Sequence, residues 1–367
     1  MSINSVYFTE EKIRRRIEEL KGFIFRGRTP IKNLRCYTGD PEGAHLVGYD
    51  DSAWEGFAVG KHWGGRDVTM WFRGEVEIPN DWGCCEDCDG NGGGKLLALH
   101  IRLSSGEKAH LSGPEGLVYV NGRPVCGVDR NHTEVILTPS IIGATSRDGS
   151  CEPSCAASRL VMAIKATSGM QDVEHVFEAC ELVWIDQDAD SLYYSLRAGI
   201  EAVEVLGEGS PSGVALLNIL DEAVRYIDWR EPGSDAFYES IKEARRYLDT
   251  ALSRLPKDGV KPKVTCVGHS HIDVAWLWPL RHTREKCSRT FSTVVHLMDL
   301  YPEYCFIQSQ PQLYKFIKED YPEIYARIKE KAASGQWEPT GGMWVEADCN
   351  VTSGESLVRQ LLFGTRF

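Results

Sequence analysis

Gly268-His269-Ser270-His271-Ile272-Asp273-Val274-Ala275-Trp276, which follows the apolar run Val264 to Val267, is the stretch on which the reading of this chain turns. A short apolar run that opens into two imidazoles and a carboxylate has the pattern of a buried strand leaving its sheet and presenting metal ligands. If the chain stays extended here, residues 269, 271 and 273 point to one side, because side chains along a strand repeat with period two. Neutral imidazole with carboxylate is a donor set that suits zinc, with cobalt or manganese as competitors. A lone His after a strand is ordinarily a satisfied polar residue; three candidate ligands within five residues point to metal.

Working outward, strands and helices alternate from Lys263 to the last residue. Val264 to Val267 reads as a buried strand, Arg284 to Leu300 as a helix with Phe291, Val294, Val295 and Met298 apolar, and Tyr304 to Gln308 as a second strand. Gln312 to Ile317 and Ile324 to Ala333 read as helices parted by Pro322. Trp337 to Val345 reads as a third strand and Glu355 to Phe363 as a helix. Such alternation predicts a parallel sheet or barrel, whose sites gather at the carboxyl ends of the strands. The third strand runs into Gly341-Gly-Met-Trp-Val-Glu-Ala-Asp-Cys-Asn350, so Glu346 and Asp348 fall at a neighbouring strand exit. Alone, such an acidic loop is solvated or caps the next helix. Beside a metal site, one of the two carboxylates becomes a candidate ligand or nucleophile.

The spacing at 269 to 273 leaves the chemistry open. A His-x-His pair closing a barrel strand also suits metal-dependent amidohydrolases. His-x-His-x-Asp-His suits the metallo-β-lactamase type of site, and Val274 in the sixth position argues against that one.

The first half has a different period. Val68 to Ile78 ends at Pro79, Lys95 to Leu103 follows the Gly-rich stretch 83 to 94, which is loop by composition, and Gly116 to Val120 precedes the hairpin pair Asn121-Gly122. Val135 to Leu137, Leu160 to Ala166 and Glu181 to Ile185 add short strands, a spacing that predicts a β-sandwich. Trp54, Trp63, Trp71, Trp82 and Tyr119 could form a sugar-stacking platform; filling the core and rim of the sandwich is the favoured expectation. From Asp190 the pattern is helical, with Ser191 to Val205, Gly213 to Ile227 and Asp235 to Leu255 as segments. The expected organisation is multidomain: a helical segment over 1–29, a β-sandwich over 30–190, a helical connector over 191–260 and the start of an α/β domain over 261–367.

At 367 residues the chain exceeds what one core usually serves. A net charge of −12, from 41 basic and 53 acidic residues, argues against nucleic acid or an anionic membrane as partner and favours a neutral polar ligand. Met1 to Leu20 lacks the apolar core of a signal peptide and instead carries Ile13, Ile17 and Leu20 at helical spacing, so a cytoplasmic protein is expected. The 12 cysteines are scattered, and Cys180, Cys266 and Cys305 lie in apolar context, as packed free thiols do. Cys84, Cys85, Cys88, Cys151 and Cys155 form clusters without clear four-ligand finger or ribbon spacing. The sequons at Asn131 and Asn350 are expected to stay unmodified.

Three ordered motifs carry a family resemblance. Gly268 to Pro279, Ser309-Gln310-Pro311-Gln312-Leu313-Tyr314, and Gly335 to Arg366 with its Glu-x-Asp-Cys-Asn core resemble the N-terminal part of glycoside hydrolase family 38, the retaining α-mannosidases, in the cytosolic and vacuolar type branch. Trp71-Phe-Arg and Tyr119-Val-Asn-Gly resemble that branch's β-sandwich. The resemblance implies that His271 and Asp273 bind zinc while His269 does not. It further implies that Asp348 is both a zinc ligand and the nucleophile, and that Trp276 lies at the sugar subsite. It implies mannose-containing oligosaccharides as partners, with homo-oligomers allowed, cobalt as the alternative ion and a vacuolar or lysosomal lumen as the alternative compartment. Ala347 stands where the branch commonly has Pro, and His282 where an acidic residue is frequent. The family's remaining zinc His, its acid/base Asp and its substrate-binding Arg follow the equivalent of Phe367, so the chain is expected to be a fragment with an incomplete barrel, inactive by itself. Two rival expectations stand beside this one: an amidohydrolase that needs both His269 and His271, and an inactive fragment that binds glycans.

Overall fold

The computed structural model describes residues 8–82, 95–104, 113–142, 159–207, 209–255 and 263–367. The chain forms two compact units, one of residues 1–28, 91–97 and 183–263, the other of 29–90, 98–182 and 264–367. The loop expected at 83 to 94 and the clusters Cys84, Cys85, Cys88 and Cys151, Cys155 lie outside the described residues.

The first unit is largely helical. Helix α1 (Thr9–Lys21) buries Ile13, Ile17 and Leu20, a row spaced four and three residues apart on one face. Helices α2 (Gln187–Leu206), α3 (Pro211–Arg225) and α4 (Asp235–Ser253) each start at a side-chain cap, from Asp186, Ser210 and Ser234 in turn. Each capping oxygen takes up a backbone N–H that the first turn leaves without a partner. Helix α1 packs on α2 and α3, and α2, α3 and α4 pack on one another. Phe23, Trp229 and Phe237 close the end of this bundle edge to face.

The strands of the first half are β1 (Phe25–Pro30), β2 (Lys32–Thr38), β3 (Glu55–Gly56), β4 (His62–Gly64), β5 (Thr69–Glu77) and β6 (Leu96–Arg102). They continue with β7 (Glu115–Val120), β8 (Arg123–Val128), β9 (Glu134–Ile136), β10 (Arg159–Thr167), β11 (Glu174–Val176) and β12 (Ala179–Ile185). Six of them form a sheet in the order β3-β2-β5-β10-β7-β8, antiparallel throughout, and four form a second in the order β1-β12-β6-β9. The sheets meet face to face where Cys180 Sγ of β12 lies 3.7 Å from Met162 Sδ of β10. Asn121 and Gly122 join β7 to β8 with φ of 50° and 80°, the left-handed pair that a two-residue hairpin demands. Trp54, Trp63, Trp71, Trp82 and Tyr119 are all buried, which makes them core rather than a sugar platform.

The last third of the chain belongs to the same unit as most of these strands. Strands β13 (Gly268–His269), β14 (Phe306–Gln308) and β15 (Trp337–Pro339) form a parallel sheet in that order. Around it lie helices α5 (Leu280–Leu300), α6 (Pro311–Asp320), α7 (Pro322–Ala333) and α8 (Gly354–Arg366). Phe291, Phe306, Leu313, Ile317 and Trp337 pack as its core, and the Trp337 indole donates to Tyr314 Oη at 2.8 Å. Helix α5 also docks on the six-stranded sheet. Gly127 N of β8 donates to Thr293 Oγ1 at 2.9 Å, and Thr167 Oγ1 of β10 donates to Glu285 at 3.0 Å. Glu115 of β7 takes Lys286 at 3.0 Å and also accepts from Arg289. His282 Nε2 lies 2.7 Å from Asp67 Oδ1, which gives the departure at position 282 a partner of its own.

Three expectations need correction. Val264 to Val267 is not a buried strand: Val264 is 74% exposed and pairing begins only at Gly268. The reason lies in the neighbour, since β14 starts at Phe306, opposite Gly268, and offers no earlier ladder partner. The third strand likewise stops at Pro339 rather than Val345, because Thr340 N is the last donor to β14, accepted by Gln308 O at 3.2 Å, and Gly341 turns the chain at φ 79°. Cys266 and Cys305 are exposed, not packed in apolar surroundings; Cys180 is buried as expected.

Candidate functional site at the strand exits

Parallel pairing places the carboxyl ends of β13, β14 and β15 side by side, so the segments 270–279, 309–310 and 340–350 leave one edge of the sheet together. His271 sits between two carboxylates. Its Nε2 is 2.8 Å from Asp273 Oδ1, and its Nδ1 contacts Glu346 Oε2. Glu346 also accepts from Ser309 Oγ at 2.7 Å, and His269 Nε2 lies 3.7 Å from its Oε1. The hydrogen bond to Asp273, seconded by Glu346, holds the His271 imidazole above its ordinary pKa. Burial pushes Glu346 upward, but the Ser309 and His271 hydrogen bonds outweigh it and leave the carboxyl below the usual carboxylate range. The group is a partly exposed imidazole flanked by acids, open to solvent on one side.

The strand geometry assumed for residues 269 to 273 holds only to His269, where β13 ends. Beyond it the loop is fixed from behind by Thr283 of α5, which is fully buried. Its hydroxyl donates to Asp273 O at 3.2 Å and accepts from Ala275 N at 3.0 Å and from the Trp278 indole at 3.2 Å. Ala275 is held at φ 62°, a left-handed conformation that costs a residue with a Cβ about 1 kcal/mol or more. Trp276, the next residue, is 58% exposed and edge-on to Trp278 at 5.5 Å. A cleft of about 390 Å³ opens beside the pair, lined by His271, Asp273, Trp278, Lys286, Arg289 and Glu115 among others.

Asp348 stands apart from this cluster in its bonding. Its Oδ1 accepts from Asn350 N at 2.8 Å, and its backbone carbonyl accepts from Thr352 N at 3.3 Å, so the side chain serves its own turn. The structure thus brings together His271, Asp273 and Glu346, with His269 nearby, while the Asp348 carboxylate is engaged by Asn350 N instead. Among the described residues no three His, Cys, Asp or Glu side chains converge as a ready metal cage. The donor types of His271 and Asp273 fit a divalent ion; a third ligand would have to turn in from the acidic loop.

Several residues that shape the site were given no role from the sequence, although Gln310 and Gln312 fall within the motif Ser309 to Tyr314. Gln308 Nε2 donates to Ser270 O at 2.8 Å, and Gln310 Nε2 donates to Ile272 O at 3.1 Å, while Gln310 Oε1 accepts from Glu346 N at 3.1 Å. Gln312 accepts from the Trp344 indole at 2.8 Å, and from α8 Gln360 accepts from Val345 N at 2.8 Å. Their periodicity, Gln-x-Gln-x-Gln after a strand, was the one available clue.

Residues 261–367 match the family described as glycosyl hydrolases family 38 N-terminal domain. Alpha-mannosidase G of Dictyostelium discoideum is 30% identical over 316 residues, 84% of this chain and 27% of the relative. Alpha-mannosidase 2C1 of Homo sapiens is 29% identical over 378 residues, covering 100% of this chain and 32% of the relative. The alpha-mannosidase of Saccharomyces cerevisiae is 37% identical over 199 residues, 51% of this chain and 18% of the relative. The chain therefore spans about a third or less of the length of these relatives.

Proposed function

We propose, from the match of residues 261–367 to the N-terminal domain of glycosyl hydrolases family 38, that the protein acts as a retaining α-mannosidase on mannose-containing oligosaccharides. The observation that carries this reading is the coincidence of the family match with an imidazole and carboxylates gathered at the strand exits. The domain limits 30–190, 191–260 and 261–367 and the incomplete barrel form part of the proposal, as does a cytoplasmic setting, which the free cysteines Cys36, Cys126 and Cys287 support. Among the described residues no helix is long and apolar enough to cross a membrane.

In the proposed reaction Asp348 is the nucleophile. Its carboxylate forms a bond to the anomeric carbon as the glycosidic C–O bond breaks, and a second carboxyl group, not assigned to any residue of 1–367, protonates the departing oxygen. Water then attacks the same carbon, giving its proton to that group and freeing Asp348, so configuration is retained. His271, Asp273 and Asp348 are the proposed metal ligands. Zinc held by these residues would supply Lewis-acid chemistry toward the sugar hydroxyls. Trp276 is the proposed sugar-stacking residue, a role that its exposure on the loop pinned by Thr283 supports.

The test is turnover of an aryl α-mannoside by the protein as its gene encodes it, with and without a chelator. Replacing Asp348 by Asn is expected to lower kcat by about three orders of magnitude or more, as loss of a covalent nucleophile does. Activity indifferent both to chelation and to Asp348→Asn would remove the assignment.

A further inference from the structure

We propose that Gln310 is the positioning residue of this site: it sets the distance between the His271–Asp273 loop and the acidic segment 346–348. The role rests on the mannosidase reading for its purpose, but its geometry stands independently. Gln310 is 1% exposed and leaves β14, the central strand, so it faces both neighbouring exits. Its amide is used from both ends: Nε2–H donates to Ile272 O, between His271 and Asp273, and Oε1 accepts the N–H of Glu346. A single rigid planar group thus spans the two loops that carry every proposed ligand. Its neighbours confine each contact to one side. Gln308, 0% exposed, donates across to Ser270 O while its Oε1 accepts from Ser309 N and Gln310 N of its own segment, and the Gln312 side chain accepts from the Trp344 indole. Ser309, between them, holds the Glu346 carboxylate itself at 2.7 Å.

Burial makes the choice of residue specific. Glutamine supplies one donor and one acceptor at fixed spacing, matching one carbonyl and one N–H that would otherwise lie unpaired in a dry site. Glutamate in its place keeps the acceptor for Glu346 N–H and sets a carboxylate oxygen against Ile272 O. Leucine fills similar space and pairs with neither. Groups that hold metal ligands from behind commonly change affinity tenfold to about a hundredfold when lost.

The experiment compares wild type, Gln310→Leu, Gln310→Glu and a control, Gln336→Leu, in the 1–367 chain and in any longer product of the gene. Gln336 is an equally polar amide that donates to Pro302 O at 3.1 Å, just before β15 and at the opposite end from the site. Amide hydrogen exchange at Glu346 is read first. Gln310→Leu is expected to accelerate it at least tenfold, Gln310→Glu to leave it protected, and Gln336→Leu to leave it unchanged. Cobalt(II) is then titrated and its visible absorption followed, with about a tenfold or greater loss of affinity expected in both Gln310 variants and none in Gln336→Leu. If Gln310→Leu matches Gln336→Leu in both readouts, the positioning role is overturned. If wild type binds no cobalt in any form, the metal reading fails, and the exchange result alone then decides whether Gln310 braces the two loops.

Discussion

Thr283 shows how much of this site depends on single hydroxyls and amides set behind the reactive groups. One side chain ties Asp273 O, Ala275 N and the Trp278 indole together, and it holds a non-glycine residue in the left-handed region. Thr283→Val keeps the shape and strands these partners, so a stability loss of about 2 kcal/mol is expected in denaturant titration, with Thr283→Ser recovering much of it. Gly364 of α8 is a second such point, because a Cβ there would fall inside the carbonyl of Gly342. Gly364→Ala should push α8 away from the acidic segment, lowering thermal stability by an amount equivalent to about 1–3 kcal/mol. At this scale the sequence was half legible. His271, Asp273, Glu346 and Asp348 stood out as candidates because side chains that can bind a metal were clustered at two strand exits, and the structure gathers the first three of them. The roles of Thr283 and Gln310 were not legible, although Gln310 lies within a quoted motif, because most of their partners are backbone groups, for Gln310 36 and 38 residues away.

Among elements, α5 does most to connect the parts of its unit. Its apolar face, Phe291, Val294, Val295 and Met298, was readable from helical spacing and is buried. Lys286 and Arg289 were unreadable as contacts, because Glu115, which receives both, lies more than a hundred residues earlier on a strand of another sheet. Strand lengths failed for a related reason: apolar residues at 264–267 have β character, but a ladder needs a partner opposite, and β14 supplies one only from Phe306. His296, 5% exposed near the end of α5, gives this element a pH signature. Burial drives its pKa down to about 4, with Asp299 opposing and Arg327 adding to the effect. The unfolded chain therefore binds a proton near pH 6.5 that the folded one refuses, so stability falls as pH drops from about 6.5 toward 4. The full effect is about 3 kcal/mol. Urea midpoints measured across that window should decline in wild type and stay flatter in His296→Leu.

For the whole molecule, the consequential feature is the seam between α5 and the six-stranded sheet. Burial raises Glu115, but Arg289 and Lys286 outweigh it and hold its carboxyl below the usual range. A depressed carboxyl lends stability above the unfolded pKa and withdraws it as pH falls through the folded value, so acid should loosen the seam below about pH 4. A chain started at residue 261 would carry Arg281, His282, Lys286 and Arg289 without Asp67 and Glu115. It is expected to be poorly soluble or to bind a hydrophobic dye, as checked by gel filtration and dye fluorescence against 1–367. The region that resembles a catalytic domain is then no interchangeable module. Its first helix is addressed to one sheet, and a chimera that grafts 261–367 onto a foreign partner would inherit the candidate site residues without the surface on which that helix docks; the heritable unit is the pair.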